Sequence, residues 1–343
     1  MRAPASTLLH LAGLATFLAA CSSGPGLADQ GPAAVAATPQ AAPQRDAPPT
    51  AISAASGAPR AAQGSLLPPT ATPIPQVVPT LPPAVATPDV REGGSVIQQQ
   101  VFYSPALGQH MSYLIYLPPG YQSSSRPYPA LYLLHGVAGD NTEWLEIGIP
   151  DAADRLIGRG EIQPILIVFP YGDAGYYVNS PNGGLRWQDY LIEDVVSGVD
   201  ASYRTLPRPE KRAIGGLSMG GDGALQLAMR FPEIFSIAAA HSPSSRLLFE
   251  HVPPDIYGDE AFFRAHNPFW LAQDVAGASQ VRIWIDVGDE DPWRWNAGAI
   301  HAALEARGID HEFHLYPGLH EGDYWVDHLD DYLDFYSRSL GGP

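Results

Sequence analysis

The stretch Ala213–Ala228, AIGGLSMGGDGALQLA, sets one serine among five glycines, between a short apolar run and a helical pattern. KRAIGGL before the serine reads as a strand and GDGALQLAMRF after it as a helix. Ser218 therefore stands in Gly216-Leu217-Ser218-Met219-Gly220, a G-x-S-x-G match, at a sharp strand-to-helix turn. The pentapeptide alone is weak, because glycine-rich chains produce it by chance; its setting makes it specific. Such a turn strains the serine backbone, and glycines two residues to either side avoid collisions with it. The turn would expose the hydroxyl at the carboxyl edge of a sheet. It would also aim the Met219 N–H, at the helix N-terminus, into the same space. A glycine-rich turn that serves only close packing is the plainer alternative.

Strand-like runs recur on both sides of this turn. MSYLIYLP (Met111–Pro118) alternates and is bounded by Pro-Pro-Gly, as expected of an early, partly exposed strand. PALYLLHG and PILIVFP are short and almost continuously apolar, the pattern of strands buried on both faces of a parallel sheet. SIAAAHS, VRIWIDVGD and EFHLYPG follow in the same style. Helical patterns lie between them at Asp189–Tyr203, Met219–Phe231, Ala297–Arg307 and Tyr324–Leu340. The alternation predicts an α/β fold over 96–343, a mostly parallel central sheet with helices on both faces. Ser242–Gln280 carries Phe249, Tyr257, Phe262, Phe263, Phe269 and Trp270 without a clean period. It is expected to be an insertion over one end of the sheet.

A serine hydroxyl is a poor nucleophile unless a base takes its proton and an acid orients the base. In a sheet of this kind those partners follow as acid and then histidine, on loops after later strands. RIWIDVGDEDPW offers Asp286 from within a strand and Asp289 and Asp291 from the loop after it. FHLYPGLHEGDYW carries His320 into a post-strand loop with small residues before it. Among the eleven histidines, His311 and His314 fall on the last strand, and His301 and His328 on helical faces. His241 comes too early in the order, and His320 alone occupies the expected loop. LYLLHGVAGD ends a buried strand in His135-Gly136-Val137, where the Val137 N–H would face a carbonyl oxygen together with that of Met219. Losing one such donor costs roughly 3–4 kcal/mol of transition-state stabilisation. His135 is expected to hold this loop. HEGDYWVDH lacks HExxH spacing and no compact ligand set remains, so no metal or other cofactor is expected.

The N-terminal part is of another kind. No aromatic residue falls between Leu18 and Val101, and 15 of the 35 prolines lie between Ser22 and Val90. Without large apolar side chains to offset ordering entropy, a disordered linker is expected over 21–95. Residues 1–20 combine Arg2 with TLLHLAGLATFLAA, a signal-peptide pattern too short to span a bilayer. They lead into LAAC, Leu18–Cys21, which resembles the lipobox of bacterial lipoproteins. That resemblance implies cleavage before Cys21, lipid on its sulfur, and an exported protein anchored at the bacterial cell envelope. Cys21 is the sole cysteine, which excludes disulfides and thiolate metal sites in the mature domain. The net charge of −17, with Lys211 the sole lysine, argues against nucleic acid, anionic membrane surfaces and polyanionic substrates.

Taken in order, YLPPGY, LLHGVAGD with Trp144 soon after, RWQDYLIEDVVSGVDASYR, GGLSMGGDGAL, DVGDEDP and GLHEGDYW carry a family resemblance over about Gln98–Tyr336. They resemble the esterase family that includes feruloyl esterases, enterochelin-type esterases, S-formylglutathione hydrolase and mycolyltransferases of the antigen 85 type. The resemblance implies the α/β-hydrolase fold. It also implies Asp291 as the acid, three residues after the glycine of its loop, and His320 as the base, with Trp325 following. The expected reaction is hydrolysis of a small-molecule or polymer-linked carboxylic ester through an acyl-enzyme on Ser218. Trp144, Trp187, Tyr176 and Trp293 are candidates for a wall facing a feruloyl, acetyl or other acyl ester of a sugar or of a plant or cell-surface polymer. An acyltransferase using a sugar hydroxyl and a catalytically silent binding module are the rival readings. The formylglutathione hydrolases are cytoplasmic, which sets their substrate apart from an exported, tethered chain.

Overall fold

A computed structural model describes residues 89–91, 94–274 and 276–343 of the chain. The expected signal segment, Cys21 and nearly all of the expected linker lie outside the described residues. Nine strands form one sheet: β1 Asp89–Val90, β2 Val96–Ser104, β3 Gln109–Leu117, β4 Ala130–Leu134, β5 Leu166–Pro170, β6 Arg212–Leu217, β7 Ile237–His241, β8 Arg282–Gly288 and β9 His311–Tyr316. They lie in the order β1-β2-β3-β5-β4-β6-β7-β8-β9. The pairs from β1 through β3 to β5 are antiparallel, and those from β5 to β9 are all parallel.

The helices are α1 Glu143–Ile147, α2 Ile149–Arg159, α3 Trp187–Asp189, α4 Val196–Ser202, α5 Met219–Arg230, α6 Pro254–Tyr257, α7 Glu260–His266, α8 Pro268–Asp274, α9 Arg294–Ala306, α10 Gly322–Asp327 and α11 Leu329–Ser339. Strand β4 shows why they need both faces of the sheet. All five of its residues are buried. Ala130, Tyr132 and Leu134 join a core with Leu225 and Leu227 of α5 and Ile300 of α9. Leu131 and Leu133, pointing the other way, join Leu156 of α2 and Leu333 and Tyr336 of α11. A run apolar at every position is thus what a strand covered on both faces requires.

Three expectations change. The helical pattern Tyr324–Leu340 is broken at His328, which ends α10 and starts α11 with φ −110° and ψ 8°. Its ring stacks on Tyr316 of β9, with centroids 4.1 Å apart, so the chain bends to keep that contact. The segment Ser242–Gln280 packs on the helices of one face rather than over an end of the sheet. Its short helices pack along α5 and α9, burying Phe263, Leu271, Ala272 and Ala278 in the core on that face. Helix α2 has no counterpart among the predicted helices, although Ile149, Ala152, Ala153 and Leu156 bury one face at helical spacing. Among the described residues, no helix is long and apolar enough to cross a membrane.

Candidate active site

Strand β6 ends where α5 begins, and Ser218 makes the turn with φ 53° and ψ −118°. Its N–H donates to His241 O at 3.0 Å, and its carbonyl accepts from the N–H groups of Gly221 and Ser244 at 3.1 and 3.2 Å. The turn needs bare backbone around it. A Cβ on Gly216 would come within 2.4 Å of the Gly220 carbonyl, and one on Gly220 within 2.3 Å of Leu134 O in β4.

Three loops at the carboxyl edge of β6, β8 and β9 converge on this serine. Ser218 Oγ is 2.9 Å from His320 Nε2, and His320 Nδ1 is 2.8 Å from Asp291 Oδ2. An ionised carboxylate only accepts, so Nδ1 carries the proton and Nε2 is left to accept from the serine hydroxyl. Asp291 is wholly buried, and its other oxygen accepts the Trp293 N–H at 2.7 Å. The imidazole is one-fifth exposed, and the edge of Trp325 closes its flank at 5.3 Å. Asp289 does not reach the ring; it accepts the Gly318 N–H at 3.1 Å and ties the two loops together. Asp286 points away, into the core on the α11 side of the sheet.

The loop after β4 completes the rim. The N–H groups of Val137 and Met219 have no hydrogen-bond partner among the described residues. The Gly136 N–H is taken by Glu143 Oε2 at 2.7 Å, a residue not singled out from the sequence. Burial raises the Glu143 carboxyl above its ordinary range, against the lowering effect of that N–H. His135 is buried, accepts the Gly172 N–H on Nε2 at 2.8 Å and donates from Nδ1 to Gly136 O at 2.7 Å. Both its nitrogens are spent on holding two loops, and burial lowers its pKa, so it remains neutral.

The four candidate substrate-facing aromatics separate. Trp144 is 1% exposed, its indole Nε1–H donating to Leu134 O at 3.0 Å. It is a core residue under the loop after β4, and its expected place on a substrate wall is corrected. Trp187 and Tyr176 are also buried. Trp187 lies against Gly175 and lines a cavity of about 160 Å³ with Leu185 and Ile256. Tyr176 packs on Tyr257 and turns its hydroxyl toward Arg246. Trp293, half-buried beside Asp291, carries the Arg246 guanidinium over its ring at 4.6 Å.

A second aspartate–histidine pair lies beneath the site. Asp286 and His241 are fully buried, with Oδ1 2.6 Å from Nδ1. Asp286 also accepts from Trp284 Nε1, Tyr324 Oη and Tyr332 Oη at 2.7, 2.8 and 2.9 Å. Burial pushes its carboxyl up, but His241 and these donors outweigh it and hold it below the ordinary range. Among the described residues there is no group of three or more metal-ligating side chains.

The sequence model of the esterase family, described as "Putative esterase", matches residues 104–336. The chain is similar to the Mycobacterium tuberculosis protein named Esterase Rv1288, with 29% identity covering 64% of this chain and 54% of that protein. It therefore spans about half the length of this relative. A protein of Xylanibacter ruminicola named as an endo-1,4-beta-xylanase/feruloyl esterase is 32% identical, over 43% of this chain and 21% of its own length. Among solved structures, a ferulic acid esterase superposes with a TM-score of 0.65 at 25% identity, covering 71% of this chain and 99% of that one. The sheet order and two-sided helical cover are accordingly those of the α/β-hydrolase fold.

Proposed function

The chain belongs to the esterase family, and on that footing we propose that it hydrolyses carboxylic esters through an acyl-enzyme on Ser218. The observation that carries this reading is the unbroken row Ser218 Oγ–His320 Nε2–Asp291 Oδ2, at 2.9 and 2.8 Å. Ser218 Oγ attacks the ester carbonyl carbon as its proton moves to His320 Nε2. The carbonyl oxygen becomes an oxyanion held by the N–H groups of Val137 and Met219. The C–O bond to the alcohol breaks, and the proton on His320 passes to the departing oxygen. Water then gives a proton to His320 and attacks the acyl carbon, and Ser218 recovers its proton as the acid leaves. Asp291 keeps its charge throughout, orienting the ring and stabilising the imidazolium. Ser218→Ala should lower turnover of p-nitrophenyl butyrate by about 10⁴-fold or more; full activity in the purified variant would overturn the assignment.

A feruloyl, acetyl or other acyl ester of a sugar or polymer is the proposed substrate class. Relatives named for feruloyl ester cleavage and the half-buried Trp293 beside Asp291 support it. Comparing acetylated sugars, feruloyl sugars and p-nitrophenyl acyl esters as substrates tests it. The enzyme is further proposed to be held at the bacterial envelope through lipid on Cys21, beyond a linker over 22–95. The LAAC motif supports this, and incorporation of labelled fatty acid into the wild type but not into Cys21→Ala would test it.

A further inference from the structure

The segment after β7 carries a cation to the rim of the active site and fixes it there. Ser244 N–H bonds the Ser218 carbonyl at 3.2 Å. Ser245 O accepts from Asn296 Nδ2 at 2.6 Å, and Arg246 O accepts from Asn267 Nδ2 at 2.8 Å. Ser245 Oγ bonds the buried Asp222 on the first turn of α5. The backbone that carries Arg246 is thus held in place from behind. Its guanidinium lies over Trp293, whose N–H is bonded to Asp291, and so reaches the site from its acid side as well.

Arg246 has only part of its hydrogen-bonding capacity used. Nη1 donates to Ser244 O at 3.1 Å and to Tyr176 Oη at 3.4 Å. Nε and Nη2 have no partner among the described residues, and the guanidinium makes no ion pair there. Asp222 does not neutralise it fully, because burial pushes that carboxyl up to about 7. A planar fork with free N–H groups, stacked on an aromatic face, is the arrangement that receives a carboxylate in bidentate geometry. The acidity of the chain as a whole weighs against a polyanion, but a single carboxylate reaching this one fixed cation meets a local attraction.

We propose that Arg246 is the subsite for a carboxylate carried by the ester, so that preferred substrates release an acid or an alcohol bearing a second, free carboxylate. This rests on the ester-hydrolase reading. Two matched pairs separate the acyl side from the alcohol side: monomethyl against dimethyl glutarate, and O-acetyl-lactate against O-acetyl-lactamide. p-Nitrophenyl butyrate serves as a neutral control. In one pair the wild type should favour the carboxylate ester at least tenfold in kcat/KM. Arg246→Met should collapse that ratio to near one, and Arg246→Lys should retain part of it. Cleavage of p-nitrophenyl butyrate with no preference in either pair, or an unchanged ratio in Arg246→Met, overturns the subsite alone. Absence of cleavage of all five esters overturns the ester-hydrolase reading and the subsite with it.

Discussion

Asp286 lies within β8 and Asp291 in the loop after it, five residues on, and each meets a histidine. The His241–Asp286 pair, 2.6 Å apart, is sealed in the core, with His241 stacked on Tyr332 and its Nε2 3.0 Å from Tyr336 Oη. The His320–Asp291 pair, 2.8 Å apart, turns its free nitrogen to a serine hydroxyl at the rim. An acid–histidine pair is therefore not itself a site. What the second ring nitrogen faces, and whether a substrate can reach it, makes the difference. Tyr336 offers His241 a phenol that burial holds in its neutral form, with no room for a substrate.

Exchanging each acid for its amide should break the comparison in opposite ways. Asp291→Asn favours the wrong tautomer of His320, so kcat should fall by about 10⁴-fold with little change in melting temperature. Asp286→Asn leaves His241 and three other donors facing a poorer acceptor, so stability should fall by about 3–5 kcal/mol. The variant that remains folded should keep its turnover. Thermal melts and steady-state kinetics on both variants check this; a loss of kcat in folded Asp286→Asn equal to that of Asp291→Asn would erase the distinction.

The two pairs were not equally legible in the sequence. Ser218, Asp291 and His320 each follow a strand with glycines nearby, and local pattern plus family resemblance singles them out. Pairing of His241 with Asp286 depends on two neighbouring parallel strands being in register, His241 opposite Asp286, which no short window reveals. Trp144 looks substrate-facing in the sequence because it lies near the loop after β4 in the chain. Its indole instead fills the core beneath that loop. Arg246 falls in a segment without period, and Glu143, next to Trp144, belongs to no motif. Helix α2 hid because much of its buried face is alanine and proline.

Acidity sharpens a second contrast, between Asp286 and Asp222. Asp286 titrates below the ordinary carboxylate pKa of about 4. Its contribution to stability is present above that pH and lost as pH falls below it. Asp222, pushed up to about 7 by burial, does the reverse. Between about pH 4 and 7 the unfolded chain releases this proton while the fold retains it, so stability declines as pH rises through that window. Asp222→Asn should flatten this slope in melting temperatures measured from pH 4 to 8; an undiminished slope would assign it to other groups.

The smallest predicted effect concerns Glu143. Glu143→Ala frees the Gly136 N–H and loosens the loop that carries the Val137 N–H, lowering kcat by about tenfold with KM little changed. Glu143→Gln keeps an acceptor oxygen and should restore most of that loss. Equal losses in both variants would point to charge rather than to the hydrogen bond.

The row of three side chains also carries a timetable. Ser218 and His320 stand 102 residues apart, and His320 follows β9, an edge strand held only by β8. Strand β6 in turn pairs with β4 across about eighty residues of chain, a long loop to close before any contact rewards it. Ser218 can thus meet His320 only once β9 has docked on β8. An unfolded chain holds every residue of the proposed site and no site, so activity would report completion of the fold rather than synthesis of its parts.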